Sequence, residues 1–292
     1  MDSKISMTKM KVSFLGLGVM GYPMAGHLVS AGFDVTVFNR TTQKAKQWVE
    51  KYGAKLALSP SEAAKDADVV LMCVGDDNDV RTVAKEAIAA MNEGALLIDH
   101  TTASATVAKE IDRVCKDHGL GFLDAPVSGG QAGAENGQLT VMVGGTERDY
   151  IKAKPLFDAY SRHSQLLGEC GSGQLAKMMN QICIAGIVQG LAEALHFGQK
   201  AGLDCSAVID VISKGAAQSW QMENRAQTML NNSYEFGFAV DWMRKDLSIA
   251  LDEARRNGST LALTALVDQY YADVQKMGGN RWDTSSLLTR LK

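Results

Sequence analysis

The sequence is poor in the features that mark secreted, membrane-spanning or nucleic-acid-binding chains. Its five cysteines, Cys73, Cys115, Cys170, Cys183 and Cys205, are odd in number, far apart and never spaced as C-x-x-C. Neither a disulfide framework nor a zinc site is implied, and reduced thiols in a reducing, cytoplasmic compartment are expected. Thirty basic residues against thirty-three acidic ones, with no cationic block, leave no electrostatic footprint for gripping phosphodiester backbones. Nucleic acid is therefore not expected as a partner. No stretch offers the roughly 20 uncharged apolar residues of a membrane span. The segment from Cys183 to Leu195 is nonetheless very apolar for a helix, and burial, against another subunit if not within the fold, is expected for it. There is no proline-rich linker, internal repeat or low-complexity tract. The start, residues 1–10, is polar and lacks both the apolar core of a secretion signal and the charge pattern of a transit helix; it reads as a flexible extension, with Met7 or Met10 as alternative starts.

What is present is a chain of 292 residues, long enough to favour two domains. From Lys11 an apolar run, a glycine turn, a helical stretch from Met20 to Ala31 and the run Val35-Thr36-Val37-Phe38 read as βαβ. A helix from about Gln43 to Tyr52, the run Val69 to Val74, a helix near Val80 to Met91 and Leu96-Leu97-Ile98 continue the alternation. A helix from Ala105 to His118 and strands at Gly121–Leu123 and Thr140–Val143 extend a mostly parallel sheet, whose fully apolar strands require cover on both faces. Beyond about Gly168 the strand runs stop. Helical stretches at Gln174–Ala201, Ser206–Lys214, Asp241–Asn257 and Leu261–Lys276 take over. The expected architecture is an α/β Rossmann-like domain over 11–170 and an all-α domain over 171–292, joined by a long helix of about 40 Å.

Gly16-Leu17-Gly18-Val19-Met20-Gly21 is G-x-G-x-x-G directly after a strand and directly before a helix, the context that separates a dinucleotide site from a chance match. Gly16 permits a tight turn, Gly18 lets the backbone approach a pyrophosphate, and Gly21 lets helix and strand pack closely. Where an acid would bind the ribose hydroxyls of NAD, the chain has Asn39-Arg40-Thr41. Arg40 can pair with a 2′-phosphate, with donors from Asn39 and Thr41, so NADP(H) is favoured over NAD(H). Val74, ending its strand run, joins the cofactor set.

The glycine-rich segment Asp124 to Ala134 reads as a loop presenting backbone, and the N–H groups of Ser128, Gly129 and Gly130 with the Ser128 hydroxyl can form a nest for a carboxylate. Read alone, it is equally a β-turn with a proline. Lys177 and Asn180, three apart near the start of the long helix, share a face. If that face looks into a cleft, Lys177 can protonate a carbonyl oxygen receiving hydride. An anonymous helical lysine is most often solvated, but apolar neighbours make this one more tunable. The five histidines show no metal-ligand spacing, and no metal is expected. Trp220, Phe236, Phe238 and Trp242 could wall a pocket, although core packing is the more ordinary reading.

Taken in order, the opening Gly16 to Ala25, the segment Asp124 to Gly130, the stretch Gly168 to Asn180 and Lys245-Asp246-Leu247 resemble the β-hydroxyacid dehydrogenase family over Lys11 to Leu291. That family includes 3-hydroxyisobutyrate dehydrogenase, tartronate semialdehyde reductase and the glyoxylate/succinic semialdehyde reductases. The resemblance implies a dimer or tetramer with Lys177 as catalytic lysine, Asn180 orienting the substrate, and Ser128, Gly129 and Gly130 holding its carboxylate. It further implies Thr102 and Lys245 on the nicotinamide side of the cofactor. Thr101 stands where the family has serine, and the family's following proline is absent. The implied reaction is reversible hydride transfer between NADP(H) and a short 3-hydroxy acid or semialdehyde. Imine reductases usually lack the lysine, and phosphogluconate dehydrogenase has a much longer helical part. A non-catalytic dinucleotide sensor is the alternative from another class.

Overall fold

The computed structural model describes residues 10–292, so the expected extension lies outside the described residues except for Met10. Met10 is not part of a loose tail: it packs against the first core cluster, and its carbonyl accepts the Asp34 N–H. The chain falls into two compact units that divide between Lys177 and Met178.

The first unit runs β1 (Lys11–Leu15), α1 (Gly21–Ser30), β2 (Asp34–Phe38), α2 (Thr42–Tyr52), β3 (Lys55–Leu56), α3 (Pro60–Ala64), β4 (Val69–Met72), α4 (Asp77–Ile88), β5 (Leu96–Asp99), α5 (Ala105–Asp117) and β6 (Gly121–Asp124). It continues through β7 (Val127–Ser128), α6 (Gly130–Glu135), β8 (Leu139–Gly145), α7 (Glu147–Tyr160) and β9 (Ser161–Leu166) into the start of α8 (Ser172–Lys200). The sheet order is β3-β2-β1-β4-β5-β6-β8-β7, with β9 on β8. All pairings from β3 to β6 are parallel. The strand read from Thr140–Val143 is longer and runs antiparallel to β6. Strands β4 and β5 are buried throughout, because separate core clusters cover the two faces of the sheet. The chain order reverses between β1 and β4, the position at which doubly wound sheets open a ligand crevice at the carboxyl ends of the strands.

One sequence expectation needs correction. The segment from Asp124 to Ala134 is not one loop. It ends β6, pairs briefly as β7 with Val141 and Thr140 of β8, and then turns into the short helix α6. Its glycines serve those turns, with Gly129 and Gly130 at φ of +134° and +61°. Helix α8 is buried on one face of its apolar stretch within this chain. Ala185, Val188, Leu191, Ala192 and Leu195 face the second core, whereas Cys183 and Ile187 are exposed, continuing a stripe with Leu175 and Met179 at a spacing of four.

The second unit is helical: the rest of α8, then α9 (Cys205–Ile212), α10 (Trp220–Leu230), α11 (Val240–Asn257), α12 (Ala262–Lys276) and a closing 3-10 helix over Thr284–Leu291. Helix α10 and the closing turn were not read from the sequence. Asp204, Ser219 and Asp283 cap α9, α10 and the 3-10 helix through side-chain oxygens, which satisfy otherwise orphaned N–H groups. By length and composition α8 passes for a membrane span. A core helix passes the same test, and Lys177, Gln181 and Gln189 are buried polar positions along it.

Close contact of β1 with α1 depends on Gly21, where a Cβ would overlap the Gly16 carbonyl oxygen and lie 2.9 Å from the Phe14 ring. Gly21→Ala must therefore displace backbone and is expected to lower stability by about 1–3 kcal/mol. Urea unfolding tests this, and an unchanged midpoint would mean that the helix start gives way freely.

Candidate active site

The turn after β1 has the three distinct glycine environments that its spacing predicts. Gly16 has φ of +100°, and a Cβ there would overlap the Cys73 carbonyl oxygen. Gly18 is exposed, and a Cβ there would meet nothing within 4 Å, so its backbone is open to close approach. The Met20 position before α1 supplies no side-chain cap, so the first N–H groups of that helix are not covered by a side chain. A helix N-terminus without a side-chain cap beside an open glycine suits a pyrophosphate. These residues fit a dinucleotide.

Several other residues that the sequence marks as cofactor candidates are held by specific bonds. Asn39 accepts the Leu17 N–H at 2.8 Å and donates to the Thr41 carbonyl at 3.1 Å, so its amide fixes the glycine turn to the end of β2. Val19 is exposed, and Thr41 precedes α2 without capping it. The Val74 N–H donates to the Thr101 hydroxyl at 3.0 Å, tying the end of β4 to the end of β5. A serine could make the same bond, which accounts physically for threonine at 101. Thr102 follows, half-buried. Arg40 is 88% exposed on its side chain and pairs with Asp79 of α4 at 3.3 Å. Sequence reading missed this acid because it comes from another helix.

Lys177 is buried, and one helical turn on Asn180 is half-buried. Asn180 donates to the Gln181 side-chain oxygen at 2.8 Å, and Gln181 donates to buried Asp246 at 2.7 Å. Asp246 also pairs with Lys245 at 3.2 Å. Asn180 and Lys245 are thus the two ends of one polar chain in the second unit, through Gln181, which was not singled out from the sequence, and Asp246, which was quoted within a motif but given no role. Trp220 and Trp242 are exposed rather than core, and Trp220 and Phe236 stack on the Arg225 guanidinium at 4.9 and 4.6 Å. Among the described residues no cluster of His, Cys, Asp and Glu is placed to hold a metal ion.

The chain that leads into Ser128, Gly129 and Gly130 carries buried Asp124 and is bonded at Ala125 by buried His100. His100 contacts the Ala125 carbonyl through Nδ1 at 2.6 Å and the Tyr160 hydroxyl through Nε2 at 2.8 Å. A carbonyl only accepts, so Nδ1 carries the proton and Nε2 accepts from Tyr160. Burial pushes His100 down to about 4, against the opposing pull of the Ala125 bond. Burial pushes Asp124 up to about 6, although N–H groups of Gly171 and Gln174 favour its charged form.

Two family models match: the NAD binding domain of 6-phosphogluconate dehydrogenase over residues 11–171, and the NAD-binding domain of NADP-dependent 3-hydroxyisobutyrate dehydrogenase over 171–291. The chain belongs to the β-hydroxyacid dehydrogenase family. It is 64% identical over 285 residues to an uncharacterized oxidoreductase of Shewanella frigidimarina, covering 97% of this chain and 98% of that one. It is 32% identical to the mitochondrial 3-hydroxyisobutyrate dehydrogenase of Mus musculus, covering 99% and 89%. The solved structure of Mycobacterium tuberculosis 3-hydroxyisobutyrate dehydrogenase with L-serine superposes with a TM-score of 0.89 at 32% identity, covering 97% and 99%. Membership makes the chain an NAD(P)-dependent oxidoreductase acting on CH–OH groups, with a Rossmann-like first domain and a helical second one.

His100 carries a pH dependence of stability. Its folded value lies below the free-imidazole value of 6.5, so the unfolded chain binds the extra proton first as pH falls. Stability from this group is full above about 6.5 and lost down to about 4, on the order of 3 kcal/mol in all. Asp124, raised, acts with the opposite sign between 3.8 and about 6. His100→Phe is expected to be less stable than wild type at pH 7 but to lose less on acidification to pH 4.5; equal losses in urea unfolding would assign the slope to other groups.

Proposed function

We propose that this chain interconverts a short 3-hydroxy acid and its semialdehyde, of the size of 3-hydroxyisobutyrate, tartronate semialdehyde, succinic semialdehyde or glyoxylate, with NADP(H) preferred to NAD(H). The observation that carries this reading is Lys177, a buried lysine one turn into α8, at the position the family pattern assigns to the proton donor. The cofactor supplies or receives the hydride at the carbonyl or carbinol carbon, which is β to the carboxylate in the 3-hydroxy acids, α in glyoxylate and γ in succinic semialdehyde. Gly16, Leu17, Gly18, Val19, Met20 and Gly21 hold its pyrophosphate, Asn39, Arg40, Thr41 and Val74 its adenosine end, and Thr102 and Lys245 its nicotinamide side. Ser128, Gly129 and Gly130 receive the substrate carboxylate. Asn180 orients the substrate, and Lys177 gives a proton to the carbonyl oxygen on reduction and takes it from the hydroxyl on oxidation.

An anion fixed at one end sets by distance which carbon reacts, and this favours short substrates over long ones. The exposed apolar stripe Leu175, Met179, Cys183 and Ile187 supports assembly of this enzyme as a homodimer or homotetramer, and its five cysteines, held as thiols rather than disulfides, suit the reducing cytoplasm.

A scan of NADPH oxidation with glyoxylate, succinic semialdehyde, methylmalonate semialdehyde and tartronate semialdehyde tests the reaction, and silence on all four would favour a dinucleotide sensor. With the best substrate, Lys177→Ala is expected to lose at least about 100-fold in kcat, the lower range for general acid catalysis, while NADPH affinity stays near normal. Retained turnover would mean another proton donor. Arg40→Asp is expected to move the ratio of kcat/KM values toward NADH; an unchanged ratio would remove Arg40 from cofactor choice.

A further inference from the structure

The first turn of α8 is held from two sides by side chains that no step of the proposed reaction uses. Asp124, fully buried at the end of β6, accepts the Gly171 N–H through Oδ1 at 2.7 Å and the Gln174 N–H through Oδ2 at 2.8 Å. Gln174, also fully buried, donates through Nε2 to the Thr101 carbonyl at 2.7 Å and accepts the Ala103 N–H through Oε1 at 3.0 Å. An ordinary helix cap comes from the residue next to the helix. This one comes from 47 and 50 residues earlier, on the strand that leads into Val127–Gly130.

Space for it is reserved. A Cβ on Gly173 would lie 2.5 Å from the carbonyl oxygens of both Asp124 and Met142, and one on Gly144 would overlap the Asp124 carboxylate. Lys177 stands three residues beyond Gln174, less than one helical turn from the clamp. A displacement of the first turn is therefore passed on to its ammonium, and one of about 1 Å is enough to cost on the order of 100-fold in rate.

We propose that Asp124 and Gln174 are positioning residues for Lys177: the carboxylate sets the lysine's turn against the strand leading to Ser128–Gly130, and the amide sets it against the Thr101–Ala103 segment. This rests on the reading of Lys177 as the proton-transfer group. Neither residue touches substrate or cofactor; each acts through the lysine.

The test is a double-mutant cycle. Wild type, Asp124→Asn, Lys177→Ala and the double variant are compared with NADPH and the best of the four aldehydes. Asp124→Asn keeps the shape but puts an N–H₂ where Oδ2 accepts. It is expected to lower kcat about 10- to 100-fold, with KM for NADPH changed less than about 3-fold. In the Lys177→Ala background the same substitution is expected to cost less than about 3-fold, because the group it positions is gone. Equal losses in both backgrounds would overturn the proposal and leave Asp124 as an element of stability alone. Full turnover by Lys177→Ala would overturn it too, but at the level of the lysine reading.

A second readout needs no turnover. Acetic anhydride labelling of the cofactor-free protein, followed by mass spectrometry at each lysine, is expected to show faster modification of Lys177 in Asp124→Asn, with exposed Lys55 unchanged. Unaltered labelling of Lys177 would count against the proposal. Should Asp124→Asn fail to fold, Gln174→Leu, which leaves the Asp124 cap in place, is put through the same cycle and labelling with the same expectations.

Discussion

A carboxylate without solvent is expensive unless donors surround it, and much of the first unit is arranged around one such group. Asp124 receives two backbone N–H groups from the start of α8, and the nearby Cys170 thiol is held in its protonated form by burial and by the Asp124 charge. Those donors offset its desolvation only in part, which is why its affinity for a proton is raised. Glycine at 144 and 173 follows from the close fit, and the left-handed φ of +95° at Gly171 follows from the turn that brings its N–H round to the carboxylate. The longest helix therefore begins where a strand end dictates, and everything on its first turn inherits that placement.

The alternation of apolar strands and amphipathic helices made the doubly wound sheet legible, since a period of two or a fully apolar run has few other readings. The glycine turn was legible residue by residue, because each glycine answers a separate steric demand. What could not be read was which distant groups meet. Asp124 sat inside a recognised motif, but its partners lie beyond three intervening strands and two helices. The glycines after it suggested an unpaired loop, and nothing local disclosed that Val127 and Ser128 would find β8. Gln174 offered the one usable signal, an amide just inside a helix among apolar neighbours, since such a group must find partners when buried. Helix α10 was missed because its buried positions, Met222, Ala226 and Met229, are few and separated by polar residues.

The second unit shows the same economy of polar contacts. Lys245-Asp246 says little as a dipeptide, because adjacent residues on a helix point in different directions. In the fold Asp246 turns inward to Gln181, while Lys245 keeps an ion pair with it and lies 5.8 Å from the Trp242 ring centroid. Removing one member of a buried, bonded set strands the others, so these four polar residues fix one another's rotamers more firmly than any pair of them would. Asn180 and Lys245, the proposed site residues at the two ends of this chain, are held in place without being fully buried.

The corner proposed for the cofactor's adenosine end follows a different logic, that of exposed charge. The end of β2 lacks an acid, yet an acid is present in the neighbourhood: Asp79 reaches Arg40 from α4 while its other oxygen accepts the Gly75 N–H at 3.2 Å. An exposed pair of this kind contributes about 0–1 kcal/mol, and Arg40 is largely solvated. A 2′-phosphate offers the guanidinium a second negative charge and paired acceptor oxygens, which bind more strongly than a single carboxylate oxygen. Under the proposed NADP(H) preference Arg40 thus exchanges a weak partner for a stronger one, while Asp79, anchored by Gly75, stays behind as a like charge near the phosphate. Selectivity at this corner is then the difference between one attraction and one repulsion, which makes it shallower than the bare absence of an acid after β2 would suggest.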